Sequence, residues 1–287
     1  MIRKLLGLVV VAVGCNSTGV GNPPNAPDEL STQESELVSD GGDGNRAGDG
    51  ASSLVSIPLL ALKTADQLTT SDGAAAVGEW SRVAFQPTSC VTSTRAANVV
   101  TWTFTDCQGP FGLAQLSGKL IATYTARAPS SLEVVIKSEG LKLASAEGVS
   151  LVRADVSIDA TAILTITATG AQNIRWQGLY TVTLPAKRID HQAAYELTKA
   201  AECIQLGGTA TTTLNDARGK RGVTTTLTGY ERCGVQRACP NSGTLTIDAN
   251  PGDFWVTIEF LGGQAIEVAS SQYPEPRTIV KGLRCMP

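Results

Sequence analysis

Residues 174–184 read Ile-Arg-Trp-Gln-Gly-Leu-Tyr-Thr-Val-Thr-Leu, and apolar and polar side chains alternate along most of this stretch. Trp176 and Tyr180 occupy even-numbered positions, whereas Arg175 and Thr183 occupy odd-numbered ones; we call this the parity of a residue in its strand. Successive side chains of a strand point to opposite faces, so this period of two predicts a strand with one buried and one solvated face. Strands of this kind are typical of antiparallel sheets, because the strands of parallel sheets are covered on both faces.

The same period of two recurs after about residue 80. It predicts strands at residues 100–104, 118–126, 132–136, 151–159, 162–169, 209–214, 223–230, 244–248, 254–260 and 264–269. Threonine fills many of the polar positions, which suits the solvated side of a pleated surface because it is β-branched and carries a hydroxyl. Only two segments are helical candidates. One is the apolar stretch 54–67, which contains Pro58 and is either a short helix or an extended packing segment, and the other is residues 191–202.

A motif of strand, cysteine, Ser-Gly and strand occurs twice in the chain. In the first copy Cys107 is followed by Ser117-Gly118, and in the second Cys233 is followed by Ser242-Gly243. A predicted hairpin follows each copy, at residues 132–143 and 255–268.

The repeated motif predicts an all-β domain over residues 54–287, built from two similar halves at about 80–170 and 195–287. Each half offers enough strands for a sheet, and both halves can share one core. An antiparallel sandwich and a single sheet curled into a half-barrel both satisfy this pattern.

Composition excludes several classes of function. The chain has 23 Lys and Arg against 26 Asp and Glu, so it carries no excess of positive charge, which argues against nucleic-acid binding. A single histidine and the lack of a Cys-x-x-Cys motif leave little material for acid–base or metal chemistry. We therefore expect no metal, no cofactor and no enzymatic activity.

The first fourteen residues have the three parts of an export signal. Arg3 and Lys4 give a positive start, residues 5–13 are apolar, and Gly14 ends the run with a small residue. Nine apolar residues are too few to span a bilayer as a helix. We interpret residues 1–14 as a signal peptide.

The end of this signal, Val11-Ala12-Val13-Gly14-Cys15, resembles the lipobox of bacterial lipoproteins. The resemblance implies that Cys15 becomes the mature N-terminus and carries diacylglycerol and a further acyl chain such as palmitate, so that membrane lipid is a partner. In lipoproteins of double-membrane bacteria an Asp after this cysteine favours the inner membrane. Asn16 at that position implies the outer membrane. The alternative is cleavage after Gly14 by an ordinary signal peptidase, which releases a soluble protein.

The number of cysteines favours lipidation. The chain has seven, so acylation of Cys15 leaves an even number for three disulfides in an oxidising compartment. Guided by the repeated motif, we expect the pairs Cys90–Cys107, Cys203–Cys233 and Cys239–Cys285.

Residues 15–53 are predicted to form a flexible, lipid-anchored linker. The segment is rich in Gly, Asn, Asp, Ser and Pro and has no aromatic residue, so it offers little apolar area to offset the entropy of ordering. Asp40, Asp43, Asn45 and Asp49 carry oxygen ligands among the glycines. They lack the spacing of an EF-hand calcium loop, which favours the linker.

Few residues are candidates for a functional site. His191 is the one imidazole that could serve a hydrolase, but no Gly-x-Ser-x-Gly motif accompanies it, so we expect an exposed loop residue. Trp255 has the parity opposite to Phe254 and Val256, which makes it a candidate for an exposed contact residue. The carboxylate pairs Glu133/Glu139 and Glu259/Glu267 could suggest a glycosidase, but their parity places them on ordinary solvated sheet surface.

Two functions fit these observations. The first is a cell-envelope lipoprotein whose disulfide-stabilised β domain is a non-enzymatic binding or structural module for a protein, a glycan or a matrix. The second is a periplasmic-face carrier that holds a lipid or another hydrophobic ligand in the cavity of a curled sheet.

Overall fold

The computed structural model describes residues 29–59, 62, 84–109, 113–128, 130–147, 150–167, 170–200, 203–233, 240–262 and 265–280. In these ranges the chain forms one α-helix, a short 3₁₀ turn at Thr88–Cys90 and thirteen strands. The helix, α1, covers Thr32–Ser56. The strands are β1 (Val91–Ala96), β2 (Val99–Cys107), β3 (Ala114–Ala128), β4 (Ser131–Glu147), β5 (Ser150–Ile166), β6 (Gln172–Leu184), β7 (Lys187–Ala200), β8 (Cys203–Asp216), β9 (Gly219–Cys233), β10 (Ser242–Asn250), β11 (Trp255–Phe260), β12 (Ala265–Ser270) and β13 (Arg277–Val280).

The thirteen described strands form one sheet in which each strand pairs with the next along the chain. Every pairing is antiparallel, so the sheet is a continuous meander with β1 and β13 at its ends. This confirms the predicted antiparallel all-β fold. A single sheet is also what the half-barrel alternative requires.

One face of this sheet forms the core, and we call it the inner face. Alternate residues of β2, β3 and β4 are fully buried there, as Trp102, Leu120 and Val134 illustrate. The stretch 174–184 behaves as its parity predicts, because Trp176 and Tyr180 are buried, whereas Arg175 and Thr183 are exposed. The opposite, outer face carries the polar residues.

Several predicted strands are longer than expected. The predicted strands 151–159 and 162–169 are one strand, β5. The predicted hairpin at 132–143 is wrong, because these residues lie in the single strand β4, which has a register shift and positive φ at Gly140. The second predicted hairpin, at 255–268, is formed by β11 and β12.

The two Ser-Gly positions of the repeated motif share a local geometry. Gly118 and Gly243 have φ angles of 104° and 126°, and each lies where the strand register shifts. A Cβ atom would meet backbone at both positions, at 2.3 Å from the Gly140 oxygen and 2.5 Å from the Tyr230 Cα. Only glycine fits both requirements, which explains the signature in the sequence.

The flexible linker predicted for residues 15–53 is wrong for its second part. Residues 15–28 lie outside the described residues, but Thr32–Ser56 is helical. The helix begins with a capping box, in which the Ser31 hydroxyl accepts a hydrogen bond from the Glu34 backbone N–H and the Glu34 carboxylate accepts one from the Ser31 N–H. Its buried residues pack against the inner face of the sheet.

Glycine allows this helix to dock closely. A Cβ atom on Gly44 would lie 2.6 Å from the Thr212 Oγ1 atom, and one on Gly50 would lie 2.6 Å from the Tyr180 hydroxyl oxygen. The residues that suggest a flexible chain are therefore the ones that let the helix backbone approach the strands. Among the described residues, no helix is long and apolar enough to cross a membrane.

The two predicted helical segments also differ from the structure. The first overlaps the end of α1, which stops at Ser56, and residues 57–59 form a turn in which the Pro58 carbonyl accepts a hydrogen bond from the Tyr124 hydroxyl. Most of residues 60–67 lie outside the described residues. The predicted helix at 191–202 is wrong, because Lys187–Ala200 is strand β7, with Ile189 and Tyr195 on the inner face.

The close docking predicts opposite effects for two substitutions in α1. Gly42→Ala meets no atom within 4 Å and should raise the free energy of unfolding by about 0.5–1 kcal/mol, because alanine favours the helix. Gly44→Ala should lower it, because its Cβ would overlap Thr212. Urea unfolding of both variants measures the difference, and stabilisation by both substitutions would contradict the docked helix.

Candidate functional site

The structure confirms two of the three expected disulfides. Cys90 bonds to Cys107 and Cys203 bonds to Cys233. The first bond joins the 3₁₀ turn before β1 to the end of β2, and the second joins the paired strands β8 and β9. The third expected pair, Cys239–Cys285, and the lipidation residue Cys15 lie outside the described residues. The ligand atoms of Cys203, Cys233 and Glu231 lie close enough together to hold a metal ion. The two sulfurs are bonded to each other, however, and sulfurs in a disulfide are not thiolate ligands for a metal.

Trp255 lies at the start of β11 on the outer face, where it pairs with Asp248 of β10. The side chain is half-buried, and so is that of Phe254, whereas Val256 is fully buried on the inner face. The parity predicted for Trp255 is thus the one found. Its role as a contact residue stays a prediction.

Acidic side chains attach α1 to the sheet. The Glu34 carboxylate lies 2.6 Å from the Arg277 Nη2 atom, and both side chains are fully buried. Asp40 accepts hydrogen bonds of 2.6 Å from both Arg218 and Arg221 in the β8–β9 turn region. Asp43 forms ion pairs with Lys187 and Arg46.

The Glu34 site is the most enclosed of these attachments. Burial alone would raise the pKa of the Glu34 carboxyl, but hydrogen bonds donated by Arg277 and Ser270 outweigh it and lower the pKa. The Arg277 guanidinium also lies 4.8 Å from the ring centre of Tyr273. Glu34 is therefore held as a carboxylate under the first turn of the helix.

The oxygen-bearing residues considered for a calcium loop do not come together. Asp40 and Asp43 face different basic partners on the sheet, and Asp49 packs further along the helix. The helix keeps these residues apart, and Arg and Lys side chains bind the carboxylates of Asp40 and Asp43, so this segment does not form a calcium loop.

His191 is a buried core residue, so the expectation of an exposed loop histidine is wrong. It lies in β7 on the inner face, and its Nδ1 atom is 2.9 Å from the Thr212 Oγ1 atom. Its Nε2 atom has no hydrogen-bond partner among the described residues, and a Cβ atom on Gly48 would lie only 3.2 Å from it. Burial lowers the pKa of His191 to about 4, which keeps the ring neutral under the helix.

Tyr195 stacks with His191 on the inner face of β7, with ring centres 6.4 Å apart, and Asp49 of α1 lies near Tyr195. The Asp49 Oδ1 atom is inaccessible to solvent and has no partner within the described chain, and burial raises the pKa of this carboxyl well above its usual value. Burial and the nearby Asp49 raise the pKa of Tyr195 to about 12. His191 and Tyr195 are therefore neutral near pH 7, and burial favours the protonated form of Asp49.

The two carboxylate pairs lie on the polar face, as their parity predicts. Glu133 accepts hydrogen bonds from Arg127, and Glu139 forms a long ion pair with Lys119. Glu259 and Glu267 lie directly opposite each other on β11 and β12.

A shallow groove of about 880 Å³ lies on the outer face of β5–β9 and reaches Ser242 at the start of β10. We call it the outer groove. Its floor includes Gly207, where the outer face of β8 has no side chain, and the register of β8 and β9 shifts beside it. Its walls carry hydroxyl, amide and charged groups from Thr161, Arg175, Gln177, Glu196, Gln205 and Glu231.

Hydrogen bonds hold the charged groups of this groove in place. Glu196 accepts a hydrogen bond of 2.7 Å from Asn173 and one of 3.2 Å from Arg175, and these bonds lower the pKa of its carboxyl. Gln205 donates to Glu231 at 2.9 Å. The sequence reasoning missed this groove, although the pair Gly207-Gly208 next to a predicted strand was a usable signal, because glycine inside a strand often marks a bulge or a close approach.

Comparison with protein-family models, with curated proteins and with solved structures finds no match for this chain.

The buried attachment of α1 predicts a large effect at one glutamate and a small one at its neighbour. Glu34→Gln leaves the Arg277 charge buried without its counter-ion and should lower the free energy of unfolding by about 3 kcal/mol. Glu36→Gln is the matched control, because Glu36 is exposed on the same turn, and its effect should stay within about 0.5 kcal/mol. Equal effects in denaturant unfolding would refute the buried attachment.

His191 of β7 and Asp49 of α1 predict opposite pH dependences of stability. In the unfolded chain His191 binds a proton below about pH 6.5, whereas in the folded chain its pKa is about 4. The contribution of His191 should therefore lower the free energy of unfolding by about 3 kcal/mol as the pH drops from 6.5 to 4. His191→Gln should remove this loss. Asp49 has a raised pKa in the folded chain, so its contribution falls as the pH rises above about 4, and Asp49→Asn should remove that slope.

Unfolding by denaturant from pH 4 to pH 8 measures both slopes. Unchanged pH profiles in both variants would contradict the burial of these two side chains.

Proposed function

We propose that this chain is a lipid-anchored protein of the cell envelope, at the bacterial outer membrane, whose disulfide-stabilised β domain is a non-enzymatic binding module. The observation that carries the proposal is that one face of the sheet is covered by the helix and the other face is open. Helix α1 packs on the inner face, while the outer face stays polar and holds the outer groove. A sheet of this kind is a rigid support for a binding surface.

The disulfides support an oxidising compartment for the domain. Cys90–Cys107 and Cys203–Cys233 are bonds of the kind that persist in exported proteins. The lipobox-like sequence before Cys15 supports anchoring, because two or three acyl chains together give stable membrane attachment. Helix α1 has its N-cap at Ser31, so only residues 15–30 separate the proposed anchor from the helix. This segment is much shorter than the linker predicted for residues 15–53. A fully extended chain of this length spans about 55 Å.

The position of His191 supports a non-enzymatic role. It is the single histidine of the chain, and it lies fully buried between β7 and Gly48 of α1. A hydrolase that used this imidazole would need an opening to it, and the Nδ1 atom already contacts Thr212.

The carrier remains the second candidate. A hydrophobic ligand on the inner face would have to take the place of α1, whose Ala51, Leu54 and Val55 are packed in the core. The binding module needs no such rearrangement. Native mass spectrometry of the full chain separates the two candidates, since a carrier should retain lipid in addition to its covalent acyl chains.

The proposed anchor predicts the behaviour of two neighbouring variants in the native bacterium. Cys15→Ser should abolish acylation, leave the signal uncleaved and remove the acylated form from the intact-mass spectrum of the membrane extract. Asn16→Asp should keep the acyl chains but move the protein toward the inner membrane, as the lipoprotein resemblance implies. Membrane fractionation and intact mass measure both effects, and a wild-type protein without acyl chains would refute the anchor.

A further inference from the structure

We propose that the outer groove binds a short segment of a neutral glycan. The inference rests on the proposed role of the domain as a binding module, and it names the ligand class of that module. A volume of about 880 Å³ lies within the range of sites that bind small organic ligands, about 300–1,000 Å³.

The chemistry of the groove walls favours a ligand that both donates and accepts hydrogen bonds. Thr161 and Gln177 offer a hydroxyl and an amide that can both donate and accept. The Thr198 hydroxyl accepts from Asn173 and can still donate, and the Ser242 hydroxyl donates to the Gly229 carbonyl and can still accept. The hydroxyl groups of a sugar have the same double capacity. A row of such groups on a fixed sheet can therefore pair with successive hydroxyls without leaving a buried polar atom unpaired.

The charges of the groove argue against ionic ligands. Arg175 is the one basic residue of its lining, and its guanidinium already donates to Glu196. An acidic polymer would compete with that bond and face Glu231 as well. Arg175 compensates the Glu196 charge, and Asn173 and Gln205 donate hydrogen bonds to Glu196 and Glu231, so a cationic ligand would have to compete with these bonds.

The backbone of the groove argues against an extended peptide. The strands β6, β7, β8 and β9 are each paired on both sides, so they present no free edge to which a peptide could add a strand. Recognition must come from side chains alone. The Cys203–Cys233 bond joins β8 and β9, two of the strands that form the groove, and it keeps Gln205 and Glu231 at a fixed separation.

Gly207 gives a direct test because it forms part of the groove floor. A Cβ atom there would have only one neighbour within 4 Å, the Leu227 carbonyl oxygen at 3.5 Å, and the residue does not have positive φ. Gly207→Leu should therefore fold and fill the groove. Thr211→Leu is the matched control, because Thr211 is exposed on the same strand and face but lies outside the groove, about 13 Å along β8.

The experiment uses the full chain in detergent on an array of neutral and acidic oligosaccharides, followed by titration with maltohexaose, cellohexaose and chitohexaose. The wild-type protein should bind at least one neutral glycan. Gly207→Leu should weaken that binding by about tenfold or more, whereas Thr211→Leu should leave it unchanged. Gln177→Ala, which removes an amide from the wall, should also weaken it and covers the case in which Gly207→Leu does not fold.

Three outcomes would overturn the glycan site: no neutral glycan is bound, only acidic glycans or a polylysine probe are bound, or Gly207→Leu and Gln177→Ala, both correctly folded, bind as the wild type does. Failure of the proposed function is recognised separately. A protein that binds neutral glycan in the groove but carries no acyl chains refutes the envelope anchor alone, whereas an acylated protein with no glycan affinity refutes the ligand class alone.

Discussion

The contact between the backbone of α1 and the inner face of the sheet is the constraint on which the rest of the structure depends. Gly44 and Gly50 let the helix approach Thr212 and Tyr180 more closely than any residue with a Cβ would allow. Five glycines make this segment a poor helix on its own, so the sheet must stabilise it. The ion pairs of its acidic residues fix its position across the strands and leave the outer face as the open surface.

The strands and two disulfides could be predicted because their signals are local. The alternation of apolar and polar residues at 174–184 can be read from the strand's own sequence, and the structure buries Trp176 and Tyr180 as this alternation predicts. The repeated Cys and Ser-Gly marks placed Cys107 and Cys233 in equivalent positions, which led to the correct partners, Cys90 and Cys203. In such cases the physical cause lies within a few residues of the pattern.

The helix, strand β7 and the outer groove could not be predicted because their causes lie far apart in the chain. A glycine-rich segment becomes helical only when residues more than a hundred positions away, such as Arg277 and Thr212, supply its contacts. His191 looked like a surface residue because nothing local shows that Gly48 covers it. The groove depends on the register of Gly207 with its neighbouring strands, which is set by the whole meander.

Hydrogen exchange of the backbone amides of residues 41–51 tests the docked helix most directly. If α1 packs on the sheet as described, these amides should exchange far more slowly than those of an unstructured chain, with protection approaching that of β6 and β7. The central claim would be contradicted if they exchanged at the rate of an unfolded peptide while the strand amides stayed protected.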